Sequence, residues 1–197
     1  MKKAYLKSSY SLLPSHQQMA TLLAFSLILL STHAILTHAK FSEQSLETQT
    51  AHRAEKVSHL HFYFHDIVSG KNPTAIVVAG TRNVFGMTTI IDDPLTEGPE
   101  PGSKVVGRAQ GVYTLSAKDG AALLMAITLV FQEGKYNGSS ISILGSNQFL
   151  EAVREMPVVG GTGAFRFARG YALAKTNKFT VATGDAVVEY NVFVMHY

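Results

Sequence analysis

The chain is 197 residues long and carries 17 Lys and Arg against 14 Asp and Glu, with neither Cys nor Trp. The absence of cysteine excludes disulfides, thiol nucleophiles, cysteine zinc sites and iron–sulfur clusters, so a secreted domain must be held by its core and by any oligomer it forms. Three of the basic residues, Lys2, Lys3 and Lys7, lie at the start; beyond residue 39 the charges balance, which excludes nucleic acid or an anionic membrane surface as an electrostatic partner.

The basic start leads into an apolar run at residues 22–36 and then to Thr37, His38 and Ala39. A charged opening, an apolar core and a small-residue exit form one signal, so residues 1–39 are expected to be a secretory signal peptide. Ser26, Ser31, Thr32 and His33 interrupt the run, which is short for a membrane span, and no later segment qualifies. Residues 40–56, rich in Gln, Glu, Thr and Ser, read as a flexible N-terminal arm.

From Val57 to the end, residues 57–197, the apolar period is two. Leu60, Phe62 and Phe64 alternate with His59, His61, Tyr63 and His65, as a strand with unlike faces requires. Further strands are expected at 74–79, 84–91, 105–115, 123–131, 140–144, 165–174 and 186–196. Residues 121–129 would also suit a buried helix, but their neighbours favour a strand. Residues 92–104, with three prolines and mostly acidic charges, read as the longest loop. Gly160, Gly161 and Gly163 read as a tight turn, after which Phe165 and Phe167 would point to one face of a strand and Arg166 and Ala168 to the other. Eight short strands argue for an all-β fold, an antiparallel barrel or sandwich; a barrel removes exposed edges and leaves room for one small ligand.

Several residues carry candidate chemistry. Asp66 follows the aromatic strand, where partial desolvation would raise its pKa and suit it to proton transfer; the alternative is a side chain that caps the turn toward Ser69 and Gly70. Arg154 either orients an oxyanion or pairs at the surface with Glu151 or Glu155. His59, His61 and His65 share a strand face, but without a carboxylate at matching spacing they read as hydrogen-bonded rather than as a metal site. Asn137-Gly138-Ser139 is a glycosylation sequon in a turn-rich segment. No GxSxG elbow is present, and Arg166 stands where a dinucleotide fingerprint needs its third glycine.

Three motifs stand in order in one register: HLHFYFHDIVSGKNPTA at residues 59–75, RAQG followed by Tyr113, and VVGGTGAFRFARGYA at residues 158–172. Together they resemble the plant dirigent proteins. The resemblance implies an eight-stranded antiparallel β-barrel, associated as a homotrimer, with a pocket at one barrel end and no cofactor. It further implies a protein of the apoplast that gives stereoselectivity to the coupling of monolignol radicals made by a separate laccase or peroxidase. Some members are instead lyases that remove water from an isoflavanol through a quinone methide to close a pterocarpan ring, and a phenolic-binding defence protein is the third reading.

By the same resemblance Asp66 is the pocket aspartate, Tyr113 donates to a phenolic or quinone-methide oxygen, Arg154 is the pocket arginine, and Thr176 lines the pocket. The chain departs from the lignan-forming pattern at Leu115, where an aromatic hydroxyl is frequent, and at Asn147, where many relatives have Asp. Asn147 hydrogen-bonds a substrate but takes no proton, so proton abstraction would fall on Asp66.

Overall fold

The computed structural model of the protein describes residues 16–35 and 54–197. The chain divides into two compact units, Met1–Gln49 and Thr50–Tyr197. In the first, helix α1 (His16–Ile35) occupies most of the apolar stretch expected of a leader. No helix among the described residues is long and apolar enough to cross a membrane. The expected cleavage point after Ala39 and most of the expected arm lie outside the described residues.

The second unit contains β1 (Lys56–Asp66), β2 (Ala75–Ala79), β3 (Thr88–Thr96), β4 (Val105–Leu115), β5 (Leu123–Phe131), β6 (Ser140–Asn147), β7 (Arg154–Thr162), β8 (Arg169–Phe179) and β9 (Ala186–His196). Paired neighbours are antiparallel in the order β1-β9-β8-β7-β6-β5-β4-β3-β2, and β1 returns to pair with β3. β1 and β2 share one edge of β3: Ala75 opposes Ile91 and Ala79 opposes Thr88, whereas Tyr63 and Phe64 oppose Thr96 and Leu95. Nine strands therefore close as eight staves, an eight-stranded antiparallel β-barrel without a free edge. Alternation sends Phe62, Phe64, Met125, Ile127, Leu129, Val192 and Val194 into the core, each burial stabilising the fold by roughly 1.5–3 kcal/mol.

One end of the barrel is plugged. One-turn 3-10 helices at Gly134–Tyr136 and Gly163–Phe165 bring Tyr136 and Phe165 to a ring-centroid distance of 4.7 Å, with Phe131 5.8 Å and His196 5.0 Å from Phe165. The Ser58 hydroxyl bonds both the Tyr136 hydroxyl at 2.8 Å and His196 Nε2 at 2.9 Å, while His196 Nδ1 is buried without a hydrogen-bond partner. The motif glycines make the plug possible. A Cβ at position 161 would lie 2.4 Å from the Ser140 carbonyl oxygen and 2.7 Å from Phe165 Cβ, and Gly163 has a φ of +60°.

The structure corrects five expectations. The strand expected at 84–91 begins only at Thr88, with residues 84–87 outside it. Gly160 and Gly161 lie inside β7, a strand the sequence reading missed, and the turn falls at Gly163–Phe165. Phe165 and Phe167 do not share a face: Phe165 is fully buried, whereas Phe167 is 78% exposed at a positive φ, and β8 starts only at Arg169. β3 runs through Asp92, Asp93 and Pro94 to Thr96, so the acidic loop is confined to residues 97–104. Pro94 is tolerated because it falls where the edge of β3 passes from β2 to β1 and no ladder partner needs its missing N–H. β6 extends past the expected end to Asn147.

Candidate functional site

The other end is where β1, β4, β6 and β8 finish and β5, β7 and β9 begin. Strand parity decides what faces inward there. Asp66 continues the series Leu60, Phe62 and Phe64; Tyr113 continues from Ala109; Asn147 continues Ile141 and Ile143; Arg154 precedes Met156 and Val158; Thr176 follows Ala172 and Ala174. Tyr113, Asn147 and Arg154 are buried, and Thr176 is exposed at the rim.

These residues form two groups. In the first, the Tyr113 hydroxyl donates to the Asp66 carboxyl, 3.1 Å from Oδ2 and 3.4 Å from Oδ1. Burial raises the Asp66 pKa to about 6, against the opposing effect of the Tyr113 hydrogen bond and with a further push from the charge of Asp185. Burial also pushes the Tyr113 phenol up, so it stays a donor. Asp66 does not cap the following turn. That task belongs to Asp185, whose carboxylate accepts from Val68 N at 2.9 Å, Ser69 N at 3.1 Å and Ser69 Oγ at 2.7 Å.

In the second group, Arg154 Nε donates to Asn147 Oδ1 at 3.1 Å and Arg154 Nη1 to Thr176 Oγ1 at 3.1 Å. Both acceptors are neutral, while Glu151 and Glu155 are exposed, so the surface ion pair is not the arrangement adopted. Burial lowers the Arg154 pKa from its usual value. A cation held by an amide and a hydroxyl keeps its field for whatever enters the barrel. An Asp at position 147 would quench that field; Asn147 orients the guanidinium and leaves its charge unneutralised.

Two buried residues escaped the sequence reading. Tyr190 of β9 stacks on Phe62 at 5.8 Å and contacts Phe64 at 5.7 Å, and its phenol is pushed up by burial, with the charge of Arg154 opposing and those of Asp66 and Asp93 reinforcing the shift. Its parity with Val192 and Val194 was the available signal. Asp93 of β3 is fully buried and accepts a hydrogen bond from Thr74 Oγ1. Its neighbour Asp92 points outward, where Arg108 Nε at 2.6 Å and Gln110 Nε2 at 3.1 Å donate to Asp92 Oδ1. The RAQG motif thus fixes Asp92 outside, and alternation sends Asp93 inside.

The chain matches the Dirigent-like protein family over residues 57–195. This protein belongs to the dirigent family. Among similar relatives, dirigent protein 21 of Arabidopsis thaliana is 49% identical over 181 residues, covering 89% of this chain and 96% of that one. Pterocarpan synthase 1 of Glycyrrhiza echinata is 48% identical over 166 residues, covering 81% and 88%. The solved structure of the pterocarpan synthase dirigent protein GePTS1 superposes with a TM-score of 0.76 at 48% identity, covering 79% of this chain and 99% of that one. The dirigent barrel expected from the motifs is therefore the fold observed.

The remaining candidates fall outside the barrel interior. His59 Nε2 bonds Asn191 Oδ1 at 2.8 Å, His61 Nε2 bonds Glu189 Oε1 at 2.8 Å, and His65 Nε2 bonds Thr96 Oγ1 at 2.7 Å. Each histidine has its own partner across a strand pair. The carboxylate beside His61 comes from β9, which spacing along β1 could not reveal. Asn137 is exposed immediately after the Gly134–Tyr136 turn.

Proposed function

We propose that this dirigent protein acts on a phenolic isoflavanol through a quinone methide and closes the ring of a pterocarpan, the product class named in its synthase relatives. The net reaction breaks a carbon–oxygen bond to a leaving hydroxyl and forms a ring carbon–oxygen bond from a phenol of the same molecule. The phenol's proton departs with the hydroxyl as water, so atoms and charge balance. The observation that carries this reading is the Asp66–Tyr113 contact with Asp66 held at a pKa of about 6. Both forms of such a carboxyl are populated near neutrality, so it can protonate the leaving hydroxyl and then recover a proton from the attacking phenol. Arg154 would stabilise negative charge developing on the quinone-methide oxygen, while the apolar walls, Leu115 included, hold the reacting groups close.

A second reading, stereoselective coupling of monolignol radicals supplied by a separate laccase or peroxidase, draws on the equally close similarity to dirigent proteins 21 and 1 of Arabidopsis thaliana, at 49% and 50% identity. The test is to incubate the mature protein with an isoflavanol alone and, separately, with coniferyl alcohol plus laccase, and to resolve products by chiral chromatography. Ring closure in the first supports the lyase. An enantiomeric excess only in the second supports the guide, and no change in either leaves a phenolic-binding protein.

The leader and the sequon support secretion to the apoplast with residues 1–39 removed and a glycan on Asn137. N-terminal sequencing of secreted protein should begin near residue 40, and enzymatic deglycosylation should lower its mass; a start near Met1 or an unchanged mass contradicts them. Outward-facing Ile90, Leu124, Leu144 and Val159, each close to half exposed on β3, β5, β6 and β7, support a homotrimer that covers them. Light scattering at the mass of one chain would exclude it.

A further inference from the structure

Asp66 is not the only carboxyl on this wall of the barrel. The β1–β3 register pairs Tyr63 with Thr96 and Phe64 with Leu95; continued two residues further, it sets Asp66 against Asp93. Asp93 is fully buried, and only one of its oxygens is engaged, by Thr74 Oγ1; Oδ2 is buried without a hydrogen-bond partner. An ionised carboxylate in that position would leave a buried, charged oxygen without compensation, a far larger penalty than burying a protonated acid. Asp66, by contrast, is only partly buried and has a phenol to stabilise its ionised form.

We propose that Asp93 is the second carboxyl of a coupled pair, a positioning residue that keeps the pair's single proton so that Asp66 is the member free to exchange protons with a ligand. Two like charges in one region of low dielectric do not both form readily, and burial decides which carboxyl stays neutral. Were Asp93 ionised, its charge would push the Asp66 pKa further up and hold Asp66 protonated near neutrality, unable to act as a base. The pair therefore carries one negative charge, and the same end of the barrel also holds the positive charge of Arg154.

The groups that face the pair agree with this division. Tyr113 of β4 and Tyr190 of β9 are neutral phenols; Asp185, from the turn before β9, acts on Asp66; Arg108 and Asp92, on the outer face, act on Asp93 with opposite signs. Burial first, and the Asp66 charge second, raise the Asp93 pKa to about 8, while Asp66 lies at about 6.

This inference rests on the proton-transfer reading of Asp66 for its chemical meaning, but its test needs no substrate. Mature protein with 13C-carboxyl-labelled aspartate is titrated by NMR as wild type, Asp93→Asn and Asp66→Asn. In the wild type, one carboxyl should titrate near pH 6 and another near pH 8. Asp93→Asn should abolish the upper step and leave the lower one as a single transition. Asp66→Asn should move the upper step to lower pH, because the charge that raises it is gone. A wild-type spectrum with every aspartate ionised by pH 7, or an upper step that persists in Asp93→Asn, overturns the proposal. Should Asp93→Asn not fold, the wild-type steps and their shift in Asp66→Asn still decide it. A wild type that titrates as expected yet turns over no phenolic would refute the proposed function and leave the pair standing.

Discussion

One end of the barrel holds Phe62, Phe131 and Phe165, with Tyr136 and His196 Nε2 bonded through Ser58; at the other the inward positions hold Asp66, Asp93, Tyr113, Asn147 and Arg154. Period-two alternation delivers the polar set and, in the plug, Phe62 and Phe131, whereas Tyr136 and Phe165 come from the 3-10 turns. What differs is how polarity is compensated. The plug is packed from aromatic rings and joins Tyr136 and His196 Nε2 through one hydroxyl, leaving His196 Nδ1 buried and unpartnered. The mouth buries a guanidinium against two neutral oxygens and a carboxyl against a phenol, arrangements that cost desolvation and leave polar groups poised at this end of the barrel. The proposed chemistry thus falls at the polar end, away from the aromatic plug.

The comparison breaks most visibly at Phe165. Phe165→Ala empties the centre of the plug and should destabilise the protein by about 3–5 kcal/mol, while the specific activity of the fraction still folded changes little. Denaturant unfolding paired with active-site titration checks both parts; an equal loss of activity per folded molecule would show that the two ends are coupled.

Arg154→Met should do the reverse. Loss of the cation should lower turnover by roughly 10²–10³-fold, as for removal of an oxyanion donor, and weaken ligand binding. Stability should change little, because relief of desolvation offsets the two hydrogen bonds lost to Asn147 and Thr176. A large drop in the unfolding midpoint with unaltered kinetics would make Arg154 a structural residue.

The third difference is sensitivity to pH. The unfolded chain releases the Asp93 proton near pH 3.8, whereas the folded protein keeps it to about 8. Between those values the native state binds more protons, so stability falls as pH rises, with a slope approaching about 1.4 kcal/mol per pH unit from this group. The contribution is fully present below 3.8 and gone above 8. Unfolding midpoints from pH 5 to 8 should fall in the wild type and fall less in Asp93→Asn; parallel curves would place the proton elsewhere.

Much of this is legible in the amino-acid sequence. Alternation in HLHFYFHD announces β1, and the three motifs together point to the dirigent barrel; the residues alone leave Asp66 between proton transfer and turn capping, and the resemblance favours the pocket. The pairing of Arg154 with Asn147 and Thr176 was not legible, since it depends on β6, β7 and β8 ending at one level. Asp93 was hidden because Asp-Asp-Pro imitates a turn; the β1–β2 break that accommodates Pro94 is a tertiary feature. The glycine motif misled in the opposite direction. Its sequence is the most distinctive in the chain, yet it builds the plug, where close approach of Gly161 to Ser140 and Phe165 is a packing requirement with no part in the chemistry.

Asp66→Asn tests the division most directly. Asparagine preserves the size of the side chain and an acceptor for Tyr113 but cannot exchange a proton. On a phenolic that the wild type converts, turnover or stereoselectivity should fall at least about tenfold, and by as much as roughly 10²–10⁴-fold if proton transfer limits the rate, with unfolding midpoint and ligand affinity preserved. A variant that folds, binds and converts the same substrate at the wild-type rate and with the wild-type selectivity would contradict proton transfer by Asp66.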